Sequence, residues 1–455
     1  MERDPKLMLF ICAALWAAGC GDADSQLDPD GTGGTAGTGG TTGAGGVGGP
    51  GTPALDPLAA MPRYAVISSD YLTASSIAML DEDFVTLDES WLSSGSTYPG
   101  LVAALSGDVT LPNKQAGNGT HTVIDRLLTD VVSSFYLPSG NLNGQVRTHG
   151  EAVNAGFSSN PHDVIFVDED SAWVTRHESN LDPTAPPENQ GNDLLEINPS
   201  DMSRTGARIE LSSLDTTGTV SGGPSPIEVD VYARPSRGVR VGSTLVVGLA
   251  RLSAFIENQI ASGPGMVAVV DLEDESIEGV ELTGFENCGN VLRIPEEAKK
   301  VAVVCVGHSQ TFGDAAQVRA TAGIAILDVA DGEVTIERTW RPSTDDDLEN
   351  AVNAATMIDA QRVAGVAVGD FVTTTDRLYV TNLVSGEQAT VHESMGSYTI
   401  GTSAYDPDNE MLFVPDAHED AVIALAADGD GFIRVGATQI APSIGLPPTQ
   451  VHILD

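Results

Sequence analysis

From Met61 onward, apolar and polar positions alternate in short bursts, and the bursts come in pairs. One alternating run enters a turn of Asp, Gly or Asn, and a second run leaves it. Such phrases begin at Ser76 (SIAMLDEDFVTLDESW), Asp193 (DLLEINPSDMSRTGARIEL), Met266 (MVAVVDLEDESIEGVEL), Gly323 (GIAILDVADGEVTIERTW) and Ala421 (AVIALAADGDGFIRVGA). Period-two alternation bounded by turn formers predicts β-hairpins. Hairpins of a second kind precede most of them, at Asp163 (DVIFVDEDSAWVTRH), Gly238 (GVRVGSTLVVGLA), Asn290 (NVLRIPEEAKKVAVVCVGH) and Gly401 (GTSAYDPDNEMLFVPD). The unit is therefore four strands, A–B followed by C–D. The stretches at His121 (HTVIDRLLTDVVSSFYL) and Arg377 (RLYVTNLVSGEQATVHES) read as two further C–D hairpins, which makes seven units. Recurrence of a four-stranded unit predicts an all-β chain folded as a seven-bladed β-propeller over residues 61–455.

The two ends of this region complement each other. RYAVISSDY at Arg63 is a B strand with no A strand before it, and the chain closes on PPTQVHILD, an A-like strand with no B strand after it. Joining them completes the first blade and removes two free sheet edges. Val451, Ile453 and Leu454 are expected to pair with Tyr64–Ile67. Blades average about 56 residues against about 40–45 for the WD40 type, so this propeller carries insertions.

Residues 1–60 have a different character. Leu7 to Gly19 is an apolar run too short to span a bilayer, which reads as a signal peptide over residues 1–19. It ends LWAAGC, and a cysteine behind small residues resembles the lipobox of bacterial lipoproteins; Ala17 and the acidic Glu2 and Asp4 depart from that pattern. The resemblance implies that Cys20 carries the lipid and becomes the mature N-terminus. Residues 20–60 contain GTGGTAGTGGTTGAGGVGGPGT, which cannot bury a core and reads as a flexible tether of roughly 25 Å reach. Together these features predict a protein of the bacterial cell envelope, at the outer membrane or cell surface, held to the membrane by its lipid. The propeller phrases resemble the YVTN-repeat, lactonase-like seven-bladed proteins, most clearly in AYDPDNEMLFVPD and FVDEDSAWVTR. The literal YVTN at Tyr379–Asn382 falls on a C strand.

The formal charge of -42, with 22 Lys+Arg against 64 Asp+Glu, argues against nucleic acid and against docking on anionic lipid through a basic face. Composition also fits short strands: Gly 49 and Pro 25, with 5% aromatics. No haem-attachment, nucleophile-elbow, zinc-protease or phosphate-loop motif occurs, so no catalytic motif, metal or cofactor is assigned. DPDG at Asp28 and DGDG at Asp428 read as turns, because they lack the spaced ligands of a calcium loop.

Cys288 and Cys305 flank the hairpin of the fifth blade. If Glu296–Glu297 is its turn, they face each other and can form a cross-strand disulfide; with a shifted register they are two buried thiols. In a propeller the D–A and B–C loops share one rim. B strands are read as ending there at Asp70, Lys114, His177, Arg251, His308, Asp370 and His418, and A strands as starting at His162, Arg237, Asn290 and Gln450. The long B–C loops 180–192, 253–265 and 309–322 fall in adjacent blades on the same rim, whereas the turns of the opposite rim read as short and acidic. Long loops in a compact domain point to function. The favoured expectation is a monomeric binding or scaffold module for a protein or glycan. Its contact face would carry His162, His177, Arg237, Arg251, Phe255, His308 and His418, with Arg251 as anchor and Phe255 as apolar contact. The competing expectation is a lactonase-like hydrolase acting on a small cyclic ester at the central mouth, with His162 and His308 as catalytic groups.

Overall fold

The computed structural model describes residues 54–454 apart from 127, 151–156, 222–224, 257–258, 310–314, 331, 343–350, 370–373 and 430. The signal peptide and Cys20 lie outside the described residues. Seven antiparallel four-stranded sheets and one three-stranded sheet are formed among the described residues. From the axis outward, blade 1 is Pro448–Ile453, Tyr64–Ser69, Ser75–Leu80 and Thr86–Ser93. Blade 2 is Val109–Thr110, Thr120–Asp125, Val131–Tyr136 and Asn141–Arg147; blade 3 is Pro161–Phe166, Ala172–Ser179, Gly191–Asn198 and Ser203–Glu210. Blade 4 is Pro235–Val241, Thr244–Leu249, Gly265–Asp271 and Ile277–Leu282; blade 5 is Asn290–Arg293, Lys300–Cys305, Gly323–Ala330 and Glu333–Trp340. Blade 6 is Ala351–Met357, Arg362–Ala367, Arg377–Asn382 and Gln388–Glu393; blade 7 is Ala404–Asp406, Met411–Asp416, Ala421–Asp428 and Gly431–Thr438. Innermost strands of successive blades touch from blade 3 round to blade 1, and Ala65 and Ile67 share a core with Val123 and Phe135 of blade 2.

The last strand lies beside the first in the register Tyr64↔Ile453, Ala65↔His452 and Val66↔Val451. The Leu454 amide donates to the Arg63 carbonyl. Gly401 is required at this seam, because a Cβ there would strike the Thr449 carbonyl. A side-chain latch joins blades 7 and 1 below the seam. Arg63 forks onto Asp406 (3.1 and 2.8 Å), and the Tyr64 hydroxyl donates to the same carboxylate at 2.5 Å. Burial works upward on Asp406, but Arg63 and Tyr64 prevail and hold its carboxyl at about 2. The packed body begins before residue 61: Leu55 and Leu58 are buried against blade 1, and the Trp91 indole donates to the Asp56 carbonyl.

Most B and C strands are buried on both faces, as in Tyr64–Ser69 and Ser75–Leu80, because each blade packs between two others. D strands such as Glu333–Trp340 face solvent. Cys288 and Cys305 are joined, with sulfurs 2.04 Å apart. The hairpin register is Asn290↔Val304, one residue removed from the pairing expected from a Glu296–Glu297 turn. Cys288 therefore sits just before its strand, where its amide donates to the Leu249 carbonyl of blade 4.

Blade 2 departs from the sequence reading. The stretch from His121 is its B–C pair, and the C–D hairpin is Val131–Tyr136 with Asn141–Arg147. The inner strand is only Val109–Thr110, too short to register as an alternating run. Lys114 consequently lies in the A–B connection, and Arg126 follows the B strand. A second unforeseen feature is the three-stranded sheet of Thr216–Val220, Ile227–Tyr232 and Leu252–Ser253. It is built from the passage between blades 3 and 4 and from the B–C loop of blade 4.

His121, on the B strand of blade 2, is wholly buried against the edge of Trp91, and neither ring nitrogen has a partner. Burial depresses its pKa to about 3. The unfolded chain takes up a proton near pH 6.5 and the folded one does not, so this residue costs stability as pH falls below 6.5. Between pH 7 and pH 5 the His121→Phe variant should gain about 2 kcal/mol on the parent. Urea unfolding at the two pH values measures the gain, and parallel curves for the two proteins would rule it out.

Candidate functional site

The innermost strands enclose an axial cavity of about 620 Å³. On a strand every second side chain shares a face, so Gln450 and His452 of the closing strand look into it together. Thr110, Arg237, Asn290, Arg293 and Thr356 line it from the inner strands of four other blades. Loop residues add Tyr71 and Arg126 towards the rim of the B–C loops, and Arg63 and Asp408 towards the A–B rim. The lining thus carries Arg63, Arg126, Arg237 and Arg293 against the single carboxylate Asp408, in a chain of charge -42.

Each guanidinium is held from behind. Arg126 donates from Nε to Asp108 at 2.9 Å. Arg237 donates to the Leu111 carbonyl at 2.6 Å and to Thr110 Oγ1 at 2.5 Å, and it stands 3.7 Å from the buried Asp163. Arg63 reaches both Asp406 and Asp408. Arg293 donates to the Arg240 carbonyl. This bracing fixes the forks in place and leaves a wall rich in donors. His452 Nε2 lies 3.2 Å from Gln450 Oε1, which also accepts from Thr110 at 3.1 Å. Burial, then the charge of Arg237, holds His452 at about 3, so it stays a neutral imidazole at physiological pH.

Of the residues named for the contact face or for catalysis, Arg237 alone lines this cavity, joined by Asn290 and Gln450 from the expected strand starts. His162 and His177 meet, as neighbours on the A and B strands of blade 3, but as an interior stack. Their rings lie 4.0 Å apart and 11° from parallel, and both are buried. His162 Nδ1 is 2.9 Å from Ser236 Oγ, and His177 Nδ1 is 3.3 Å from the Pro235 carbonyl. Burial above all, together with nearby arginines, holds both well below the usual histidine value. His162 therefore does not reach a substrate in the cavity.

Arg251 corrects the expected rim anchor. It is 4% exposed and donates to the carbonyls of Pro264 (3.0 Å) and Leu214 (3.1 Å), tying down the inserted sheet. Phe255 packs, half-buried, on Ala250, Leu252 and Ile260. His308 sits 2.9 Å from the Ile260 carbonyl, linking the B–C loops of blades 4 and 5 away from the axis. It and His162 do not form a catalytic pair in the cavity. His418 is exposed at the end of a B strand, its amide donating to Asp416. The nearby ligand atoms of His392, Asp416 and Glu419 lie within 4.8 Å of one another, but they are already engaged: His392 meets Asp416 at 2.8 Å, and Glu419 accepts a fork from Arg434. They form a latch between blades 6 and 7.

Arg63, Arg126, Arg293 and His452 were not singled out from the sequence. The alternation of the closing strand was the available signal for His452. Arg126 needed the correct strand order in blade 2.

No family model matches this chain, and no curated protein does. Solved structures do match. A hypothetical selenium-binding protein from Sulfolobus tokodaii superposes with TM-score 0.54 at 11% identity, over 88% of this chain and 97% of its own. A putative 6-phosphogluconolactonase from Bacteroides fragilis gives 0.51 at 10% identity, over 87% and 99%. A protein from Lactobacillus plantarum gives 0.50 at 12% identity, over 87% and 100%. At such identities the likeness is one of fold, and the fold of this chain is that of the lactonase-like propellers.

Proposed function

We propose that this is a cell-envelope lipoprotein, tethered through Cys20, whose axial cavity binds a small acidic polyol such as a sugar acid. The observation that carries the reading is the lining itself: four braced guanidinium groups and a belt of Asn, Thr, Gln and neutral His in an otherwise acidic protein. Oriented guanidinium N–H groups beside amide and hydroxyl donors match the oxygens of such a ligand, and the volume suits a small molecule. The binding reading thus moves from the rim to the axis, because Arg251 and His177 are buried. Gluconate is the first probe, and the neighbour described as a 6-phosphogluconolactonase has a sugar lactone in its name. Calorimetry should show gluconate binding, with glucose weaker. Arg237→Gln, which loses a charge-assisted contact, should weaken it roughly ten- to a hundredfold. Equal affinity for gluconate in parent and variant would reject the axial site.

One observation favours hydrolysis as a second reading: His452 and Arg237 line the same cavity. The His452 ring would take a proton from the water as it adds to a lactone carbonyl, the guanidinium would stabilise the oxyanion, and the imidazolium would hand that proton to the ring oxygen as the C–O bond breaks. In that case His452→Gln abolishes turnover of glucono-δ-lactone while gluconate still binds.

A further inference from the structure

We propose that a recess on the A–B face, between blades 2, 3 and 4, is a second binding site, for a small organic monocarboxylate with a short apolar body. The recess exists because the inner strand of blade 2 stops at Thr110. Where its lower half would run, the Gln115 side chain takes the place of backbone. Gln115 Nε2 donates to the Thr122 carbonyl at 3.0 Å, and its Oε1 accepts the Thr122 amide at 2.8 Å. Asn113 is drawn towards the axis, donating from Nδ2 to the Val291 carbonyl at 2.9 Å. The missing half-strand leaves about 480 Å³ open beside Val164 and Phe166, within the range of small-molecule sites.

The walls of this space divide by chemistry. Val164, Phe166 and Pro199 supply an apolar floor. Arg240 stands over it, donating from Nε to the Gly242 carbonyl at 2.7 Å and from Nη1 to the Val167 carbonyl. These two carbonyls fix its orientation, and no carboxylate of the described residues forms an ion pair with it. Lys114 and Arg293 add two cations to the same lining. A planar guanidinium held in this way matches a carboxylate. Asp168 and Glu169 of the blade 3 turn also line the recess and repel a second negative charge, which selects a monoanion. The A–B rim is therefore not uniformly short and acidic: its connection in blade 2 runs from Leu111 to Gly119 and carries Lys114.

The recess adjoins the axial cavity and shares Asn113, Gln115 and Arg293 with it, but Arg240 and Lys114 line only the recess and Arg237 only the cavity, so the two readings fail separately. The probe is isovalerate, titrated into the full chain by calorimetry and by NMR, with methyl isovalerate as the uncharged control. Saturable binding of isovalerate alone is expected. Arg240→Gln should weaken it roughly ten- to a hundredfold, and so, to a lesser degree, should Lys114→Glu, an exposed position whose substitution leaves the core untouched. Gluconate binding should be the same in both variants. Absence of saturable isovalerate binding to the parent at millimolar concentration overturns the proposal. So does unchanged binding in both variants, equal binding of the ester, or loss of isovalerate binding on Arg237→Gln instead.

Discussion

A chain ending at Leu446 should fail to hold its fold. The deletion removes the inner strand of blade 1, including Val451 and Leu454, which are 2% and 9% exposed. It leaves the edge of Tyr64–Ser69 unpaired and uncovers the aromatic cluster in which Tyr64 and Phe84 pack on Phe413. The ring then has no contact from blade 7 to blade 1 through the inner strands. Loss of these buried side chains costs on the order of 5 kcal/mol or more, comparable with the total stability of many domains. Circular dichroism and size exclusion should show an unfolded or aggregating product, since the bare edge is a template for pairing. The milder Val451→Asp variant should melt well below the parent. An unchanged melting temperature in both would disprove closure by this strand.

The second large effect is expected at Arg176. This side chain is wholly buried in blade 3 and forks onto Asp193, with Nε 2.6 Å and Nη2 2.5 Å from the carboxylate oxygens. Its Nη1 donates to the carbonyls of Thr148 (2.9 Å) and Glu188 (2.6 Å). One guanidinium therefore holds the passage from blade 2 to blade 3 and the B–C loop of blade 3 against the same strand. Arg176→Met keeps much of the volume but strands a buried carboxylate and two carbonyls. Arg208, 2.8 Å from the same Asp193, offers partial compensation. Breaking a buried pair from one side costs about 3–5 kcal/mol. Denaturant unfolding should show a loss of that size, and proteolysis should become faster near Glu188. Restoration by the double variant Arg176→Met with Asp193→Leu would confirm that the stranded charge is the cause. A loss under about 1 kcal/mol would place the pair among ordinary surface ion pairs.

Hairpins in six blades were legible because alternation and turn chemistry are local. Blade 2 was not, since a glutamine side chain there does the hydrogen bonding of a strand and leaves no alternating run. The inserted sheet was missed for a related reason. IEVDVY alternates plainly and pairs with the nearby Thr216–Val220, but the third strand, Leu252–Ser253, is two residues long and lies in another blade's loop. The candidate site was less legible still. Histidines drew notice because the chain has only 8 of them, yet the prominent pair is stacked inside blade 3. The arginines of the axis come from four places in the chain and converge only through ring closure.

By itself the sequence determined the hairpins, their grouping in fours, the seven blades and the complementary ends, because period-two alternation and turn residues act over a few positions. The tertiary structure alone decided which polar residues face the axis and which are buried. Strands between two blades are covered on both faces, so alternation no longer separates inside from outside. The fate of each Arg or His is then set by tertiary neighbours: Arg251 is absorbed by the Leu214 and Pro264 carbonyls beside an inserted sheet, while Arg237 is turned by Thr110 and Asp163 towards the cavity.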